Sequence, residues 1–333
     1  MIDIDFVITW VDMDDPAWKA EFARNSGKID NTKNEVSEAR FRDHGLLRYW
    51  FRGVEKFAPW VRYIHFVTFN QKPEWLNVHH PKLKMVNHED FIPREFLPVF
   101  SINPIEIHLH KIPDLTEHFV YFNDDVFIIS PIKQSRFFTN NLPNDIAAFR
   151  TNYGLSQYEK MLRNNIKLIN RHFDKKEVLK RDHDKWFDPS YGSKSRLTKL
   201  LRANRKFATL RTPHNAQPYM KKTFESVWDK CGQELLSTAK SRFRNNNNYT
   251  HELFRTWQIC SSDFMPYNTY RDTKMFPLVL KSKQAIRAVR EQTYSLVCLN
   301  DHVMIRNYDR VMQDLEASFE SILPEKSGFE LYI

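Results

Sequence analysis

The sequence predicts an α/β protein in which roughly the first half forms a Rossmann-like layer. Two observations carry this prediction. Short β-rich runs and segments of helical periodicity follow one another in the order β-α-β-β-α-β. In addition, three β-rich runs end in aspartate, at positions 12, 124–125 and 301. Because ligands of open α/β sheets bind outside the carboxyl ends of the strands, we expect the functional site at this edge.

Periodicity predicts the elements of the first half. Alternating or continuously apolar β-rich runs predict strands, and an apolar stripe at helical spacing predicts helices. The predicted strands cover residues 2–11, 61–69, 83–87, 119–122 and 146–150. The predicted helices cover residues 18–24, 37–57 and 103–111.

The stretch from 118 to 129 is the most informative part of the chain. Aromatic and β-branched residues enter it and apolar residues leave it, but Asn123, Asp124 and Asp125 interrupt it. Two adjacent carboxylates repel each other and are costly to desolvate, and a divalent cation relieves both problems. Carboxylate oxygens suit Mg²⁺ or Mn²⁺. Asn-Asp-Asp is also good turn chemistry between two strands, so the triplet alone leaves both interpretations open.

The second half changes in composition. Residues 156–205 are basic and predicted to be helical, so we expect them to form an insertion in a core built from residues 1–155 and 206–333. A solvated helical face and a docking surface for an anionic polymer or membrane headgroups are both compatible with this charge. Further helices are predicted at 217–230, 249–260 and 309–321, with a strand at 295–298.

The composition of the chain limits the classes of function that it can have. The net charge of +9 favours anionic partners. Only 7 residues are glycine, and neither G-x-G-x-x-G nor a Walker A pattern occurs, so a bound nucleotide would be held by metal and side chains. The 3 cysteines form no disulfide framework and no zinc spacing, as is typical of a reducing compartment. With neither a spanning segment nor a signal-peptide pattern, the sequence predicts a cytoplasmic protein.

Several side chains complete a candidate site, each with a simpler alternative. Asp12 follows the first strand but is equally suited to capping the next helix. His214 lies in a predicted turn, an exposed place for an acid or base, although most turn histidines are surface residues. Arg42 and Arg48 lie on a helix where arginines usually form a solvated face, but a guanidinium also binds phosphate bidentately. Carboxylates, histidine and arginine are the set that a metal-bound diphosphate needs.

Four blocks of sequence carry a family resemblance. They are residues 4–12, which end in Thr-Trp-Val-Asp, residues 40–125, which end in Tyr-Phe-Asn-Asp-Asp, Pro213-His214 with Arg244 downstream, and residues 298–301, Cys-Leu-Asn-Asp. In these blocks the chain resembles the Stealth family, the sugar-1-phosphate transferases of bacterial capsules and of lysosomal mannose-6-phosphate tagging. Its length is similar to that of the compact streptococcal polysaccharide phosphotransferases.

The resemblance implies a GT-A-like core and transfer of a whole sugar-1-phosphate from a nucleotide sugar, usually a UDP-sugar, with release of UMP. By the same resemblance, Asp125, His214, Arg244 and Asp301 match catalytically essential positions. From the residues themselves we expect the ligands for Mg²⁺ (or Mn²⁺) to be Asp124, Asp125, Asn300 and Asp301. The expected substrate or nucleotide contacts are Trp10, Asp12, Arg42, Arg48 and Asn123. The family's histidine often lies further beyond Asp301 than His302 does, so which of Asn300, Asp301 and His302 contacts the metal stays open.

The expected acceptor is a sugar hydroxyl of a capsular or cell-surface polysaccharide, or of its lipid-linked repeat unit. We expect no nucleic-acid partner and at most peripheral contact with the inner face of the plasma membrane. One alternative is an ordinary metal-dependent glycosyltransferase that releases UDP. A second is a non-catalytic basic module that binds a polyanion, but acids at strand ends and bases on helices argue against it.

Overall fold

The computed structural model describes residues 2–26, 45–301 and 304–331. In these ranges the strands are β1 (Ile4–Thr9), β2 (Ile64–Thr68), β3 (Leu83–Asn87), β4 (His118–Phe122), β5 (Val126–Ile128), β6 (Phe138–Thr139), β7 (Leu142–Asp145), β8 (Gln217–Met220), β9 (Met265–Pro266), β10 (Thr273–Pro277) and β11 (Leu296–Asn300). The α-helices are α1 (Pro16–Ser26), α2 (Leu47–Phe57), α3 (His88–Phe91), α4 (Ile102–Glu106), α5 (Gln157–His172), α6 (Lys175–Arg181), α7 (His183–Trp186), α8 (Arg196–Leu200), α9 (Lys221–Ala239), α10 (Glu252–Cys260), α11 (Leu278–Arg290) and α12 (Tyr308–Ile322).

The central sheet has the strand order β3-β2-β1-β4-β8. Its first four strands are parallel, and β8 runs antiparallel to β4. Every residue of β1 is buried, because side chains pack on both faces of the sheet. Phe6 and Ile8 belong to the hydrophobic cluster on one face, and Val7 belongs to the cluster on the other. The predicted α/β class with a Rossmann-type parallel sheet is confirmed, and the GT-A-like character of the core stays a prediction.

A second sheet joins the two halves of the chain. Its order is β10-β11-β5, with β11 parallel to β10 and antiparallel to β5. Since β5 follows β4 after only Asn123–Asp125, the acidic turn lies where the two sheets meet. The amide of Leu299 donates to the carbonyl of Asp125 at 2.8 Å, which fixes β11 beside that turn.

The basic segment after residue 156 is helical, from α5 to α8. Its apolar side chains, among them Leu168, Val178 and Trp186, share a hydrophobic cluster with Phe119 of β4 and Tyr219 of β8. The division of the chain at 155/156 and 205/206 into a core and an insertion stays a prediction. None of the helices in the described ranges is both long and apolar enough to cross a bilayer.

A buried clamp holds α2 against the C-terminal region. The guanidinium of Arg52 donates to both carboxylate oxygens of Glu330, at 2.8 and 2.9 Å, and to the carbonyl of Leu323 at 2.8 Å. Arg52 and Glu330 are both almost fully buried. The last described residues therefore complete the packing around the central sheet.

Several predicted elements are wrong in detail. Residues 146–150 are not a strand; β7 ends at Asp145, and Phe149 forms only an isolated bridge with Leu210. The helix predicted at 217–230 begins only at Lys221, because Gln217–Met220 pairs with the edge of β4 instead. The helix predicted at 103–111 is split into α4 and a 3-10 turn at Leu109–Lys111. Of the helix predicted at 37–57, residues 37–44 lie outside the described residues.

Candidate active site

Asp125 occupies the turn between β4 and β5, at the carboxyl end of the central sheet. The amide of Val126 donates to the carbonyl of Asn123 at 3.1 Å, so the triplet is both a turn and a strand end. Asp125 Oδ2 lies 3.4 Å from Nε2 of His214, and the thiol of Cys298 donates to it at 3.2 Å. The two interpretations of the triplet are thus compatible: the turn presents a carboxylate to groups from two distant segments.

His214 lies in the loop before β8, with 36% of its side chain exposed. The amide nitrogen Nδ2 of Asn123 is 3.2 Å from the same Nε2 that faces Asp125. Burial lowers the pKa of His214, but the charge and hydrogen bond of Asp125 raise it by more, and Glu252 and Glu106 add to this. The net result is a raised pKa. The structure therefore brings Asn123, Asp125 and His214 together, as the sequence predicts.

A buried ion-pair network supports the loop that carries His214. Arg255 of α10 pairs bidentately with Asp145, at 2.7 Å on each side, and both side chains are fully buried. The same guanidinium donates to Glu252 at 3.1 Å and to the carbonyl of Arg211 at 2.7 Å. Arg211 is three residues before His214, so the hydrogen bond from Arg255 holds the main chain of this loop close to His214.

Glu106 of α4 is a buried carboxylate that sequence reasoning missed. Tyr121 donates to it at 3.3 Å, and its Oε1 lies 3.8 Å from Nε2 of His251. Burial raises the pKa of Glu106, and the charges of His251 and Arg244 partly offset this. Arg244 is thus close enough for its charge to act on Glu106. The signal in the sequence was the single acid between Ile105 and Ile107.

Trp10 and Asp12, two of the residues predicted to contact the nucleotide, differ in their surroundings. Trp10 is buried and stacks on Phe66, with ring centroids 5.6 Å apart, and its Nε1 has no hydrogen-bond partner among the described residues. The main chain of Asp12 is bound by Gln71, whose Nε2 donates to the Asp12 carbonyl at 2.8 Å and whose Oε1 accepts from its amide at 3.1 Å.

The capping alternative for Asp12 and the phosphate-binding role of the two arginines are separate predictions. The alternative that Asp12 caps the next helix is wrong, because Asp15 accepts the Trp18 amide at the start of α1. Arg48 lies over the Trp75 ring, 5.7 Å from its centroid, and within the described ranges no ion pair links it to the carboxylates. Arg42 lies outside the described residues.

The site has donors for a divalent metal ion. Asp124 and Asp125 follow β4, and Asn300 and Asp301 lie at the end of β11, the strand that Leu299 ties to the acidic turn. These four side chains offer oxygen, which fits Mg²⁺ or Mn²⁺. His302 lies outside the described residues. Asp125, His214 and Cys298 form a further group whose donor atoms all lie within 4.8 Å of one another. In the sequence, Cys298 is one of three cysteines without a zinc spacing and part of a motif, and neither observation predicted this contact.

Fold and site together define an α/β enzyme with a candidate divalent-metal site at the carboxyl edge of its sheet. Residues 40–145 match the family model "Stealth protein CR2, conserved region 2". The chain is 37% identical to receptor polysaccharide phosphotransferase WefC of Streptococcus oralis, covering 99% of this chain and 100% of that protein. It is 36% identical to capsular polysaccharide phosphotransferase WcwK of Streptococcus pneumoniae, with the same coverage. The chain therefore belongs to the Stealth family, in the group of polysaccharide phosphotransferases, which confirms the resemblance.

A third relative and two solved structures extend the comparison. Exopolysaccharide phosphotransferase cps2G of Lactiplantibacillus plantarum is 34% identical, covering 98% of this chain and 96% of that protein. Galactosyltransferase LgtC overlaps with a TM-score of 0.42 at 12% identity, over 94% of this chain and 95% of that one. Mouse xyloside xylosyltransferase 1 overlaps with a TM-score of 0.39 at 9% identity, over 92% and 100%. The fold assignment rests on the sheet order described above.

Proposed function

We propose that this protein transfers a hexose- or HexNAc-1-phosphate from a UDP-sugar to a hydroxyl of a capsular or cell-surface polysaccharide, or of its lipid-linked repeat unit. UMP is the second product. The observation that carries the proposal is the contact of 3.4 Å between Asp125 and His214 at the carboxyl edge of the sheet. This contact supports the proposal because an imidazole can accept a proton and a carboxylate can hold a metal ion, in a chain related to named polysaccharide phosphotransferases over 99% of its length.

The proposed reaction is a displacement at the β-phosphorus. The acceptor oxygen forms a bond to that phosphorus, the bond from phosphorus to the bridging oxygen breaks, and UMP leaves with that oxygen. His214 accepts the proton of the acceptor hydroxyl; its partial exposure leaves the ring accessible to an acceptor. Arg244 stabilises charge on the transferred phosphoryl group.

The same proposal gives the metal and nucleotide contacts. Asp125 and Asp301 hold Mg²⁺ (or Mn²⁺), together with oxygens of Asp124 and Asn300. When bound, this ion neutralises negative charge on the diphosphate. Trp10, Asp12 and Asn123 are the proposed contacts of the nucleotide, along with Arg42 and Arg48.

We place the reaction in the cytoplasm. The polysaccharide or its lipid-linked precursor is the second substrate, and contact with the membrane is at most peripheral, through basic surface residues. Nucleic acid is not a proposed partner.

Product analysis tests the proposal. The purified protein is incubated with a panel of UDP-sugars, Mg²⁺ and extracted polysaccharide or lipid-linked acceptor, and the released nucleotide is identified. UMP that depends on both metal and acceptor supports sugar-1-phosphate transfer. UDP indicates attack at the sugar carbon, as in an ordinary glycosyltransferase, and contradicts the proposal.

One substitution tests the role of Asp125, and the same substitution at a second aspartate is the matched control. Asp125→Asn should abolish UMP release, whereas Asp184→Asn, at a fully exposed acid of α7, should leave it intact. Loss in both variants would indicate a general effect of charge rather than a role of Asp125. Binding of the polymer that weakens steeply with salt, without any nucleotide product, would favour a polyanion-binding module.

A further inference from the structure

One oxygen, one nitrogen and one sulfur atom lie close together in the side chains of Asp125, His214 and Cys298. All three donor atoms lie within 4.8 Å of one another. Cys298 is fully buried, and its main chain pairs in the antiparallel ladder with Val126, the first residue after the acidic turn. The sheet therefore holds the backbone of Cys298 beside the acidic turn, and its thiol lies 3.2 Å from Asp125 Oδ2.

This donor set differs in chemistry from the oxygen set described for Mg²⁺. Mg²⁺ takes oxygen ligands in octahedral geometry and has little affinity for sulfur. Zn²⁺ is borderline-soft and is bound by thiolate, imidazole and carboxylate in tetrahedral geometry. Three protein ligands with a fourth position open is the arrangement of zinc sites that bind water or substrate.

The distances support the comparison. In a tetrahedral zinc site with bonds of about 2.0–2.3 Å, neighbouring ligand atoms are about 3.3–3.7 Å apart. Here His214 Nε2 lies 3.4 Å from Asp125 Oδ2, and Cys298 Sγ lies 3.2 Å from the same oxygen. Two of the three edges are thus close to tetrahedral values before any ion binds. The third, between sulfur and nitrogen, is at most 4.8 Å.

We infer that Asp125, His214 and Cys298 bind a thiophilic divalent ion such as Zn²⁺, and that this ion competes with the Mg²⁺ of transfer. On coordination, the thiol of Cys298 loses its proton to solvent, and His214 binds through its neutral ring. Zn²⁺ then binds both His214, the proposed base, and Asp125, a proposed ligand of Mg²⁺, so it inhibits the reaction. This inhibition rests on the proposed function, but the binding of the ion does not.

Cobalt binding tests the site without any assay of activity. Co²⁺ is added to the metal-free full-length protein as a coloured substitute for Zn²⁺. We expect a sulfur-to-cobalt charge-transfer band in the near ultraviolet and the intense visible bands of tetrahedral Co²⁺, both removed by Zn²⁺. Cys298→Ser should lose the charge-transfer band. His214→Ala, in a loop, should bind Co²⁺ at least about tenfold more weakly.

The control is the other close Cys–His contact that the described residues contain. Cys231 Sγ lies 3.3 Å from His172 Nε2, and Cys231→Ser should keep the charge-transfer band. A band that is absent from the wild type, or that survives Cys298→Ser and disappears with Cys231→Ser, overturns the inference. Since Cys298 is buried, thermal unfolding first confirms that its variant is folded. If it is not, His214→Ala decides, and unchanged Co²⁺ affinity in that variant overturns the inference.

Inhibition is measured separately. Zn²⁺ added in the presence of Mg²⁺ should stop UMP release by the wild type, and the inhibition curve of Cys298→Ser should shift by about tenfold or more. Inhibition that is equally strong in both proteins contradicts the competition. If the wild type releases no UMP at all, the proposed function fails, while the cobalt spectra still decide whether the metal site exists.

Discussion

The ion pair of Asp145 and Arg255 allows the structural basis of the site to be tested by one substitution, Asp145→Asn. Asparagine keeps the shape of the side chain but removes the charge and turns one hydrogen-bond acceptor into a donor. That donor then faces the guanidinium of Arg255, whose Nε and Nη2 both donate to Asp145 at 2.7 Å. Arg255 is left with Glu252 as its charged partner, at 3.1 Å.

The expected loss in free energy of unfolding follows from the burial of the Asp145–Arg255 pair. Removing one partner of a buried ion pair costs about 3–5 kcal/mol, because the remaining charge is desolvated and uncompensated. Glu252 retains part of the compensation, so we expect the free energy of unfolding to fall by about 3 kcal/mol. Urea unfolding followed by tryptophan fluorescence measures this as a lower midpoint at an unchanged m-value.

An exposed pair supplies the control. Arg287 of α11 and Glu291, the residue that follows this helix, lie 3.0 Å apart, with 74% and 58% of their side chains exposed. Glu291→Gln should change the free energy of unfolding by less than about 0.5 kcal/mol. If Asp145→Asn has an effect as small as this control, the buried pair does not hold the site, and the reasoning about the His214 loop is refuted.

Three further predictions concern activity and pH. Asp125→Asn should lower metal-dependent UMP release at least about a hundredfold in steady-state assays, because the site loses a carboxylate that would hold the metal ion on the diphosphate; a loss of less than tenfold would contradict this. Glu106→Gln should lower kcat/KM by about tenfold, because the charge of Arg244 loses a nearby buried negative charge; an unchanged value together with unchanged unfolding would remove Glu106 from the site. Burial lowers the pKa of His110 to about 3 from 6.5, so the folded state resists its protonation. Stability is therefore lost as pH falls below 6.5, by about 2 kcal/mol for this group between pH 7 and pH 5. Urea unfolding at both pH values should show a smaller loss for His110→Phe than for the wild type, and equal losses would refute the role of this histidine.

Local sequence was enough to predict the central strands and the acids that follow them. Strand β3 lies at the predicted residues, and β1, β2 and β11 differ only at their ends. Strands β1 and β2 are buried throughout, so their apolar runs are a local signal. Strand β8 has no such signal, because it exists only through its pairing with the edge of β4.

The site was predictable as a set of residue types, but its contacts were not. Asn123 and His214 are 91 residues apart, and only the sheet brings them together. The role of Cys298 depends on its pairing with β5, and that of Glu106 on packing against Tyr121 and His251. Each of these partners is distant along the chain, so no spacing rule could have found it.

The clamp between Arg52 and Glu330 has a consequence for the order in which the chain folds during synthesis. The two residues are 278 positions apart, so the helix that carries Arg52 leaves the ribosome long before its partner exists. Until residue 330 has emerged, packing this helix on the sheet would bury a guanidinium without its carboxylate, which is unfavourable. The strand that carries Cys298 also arrives late. The second sheet, the clamp and the candidate site can therefore be completed only after the chain has been synthesised as far as residue 330.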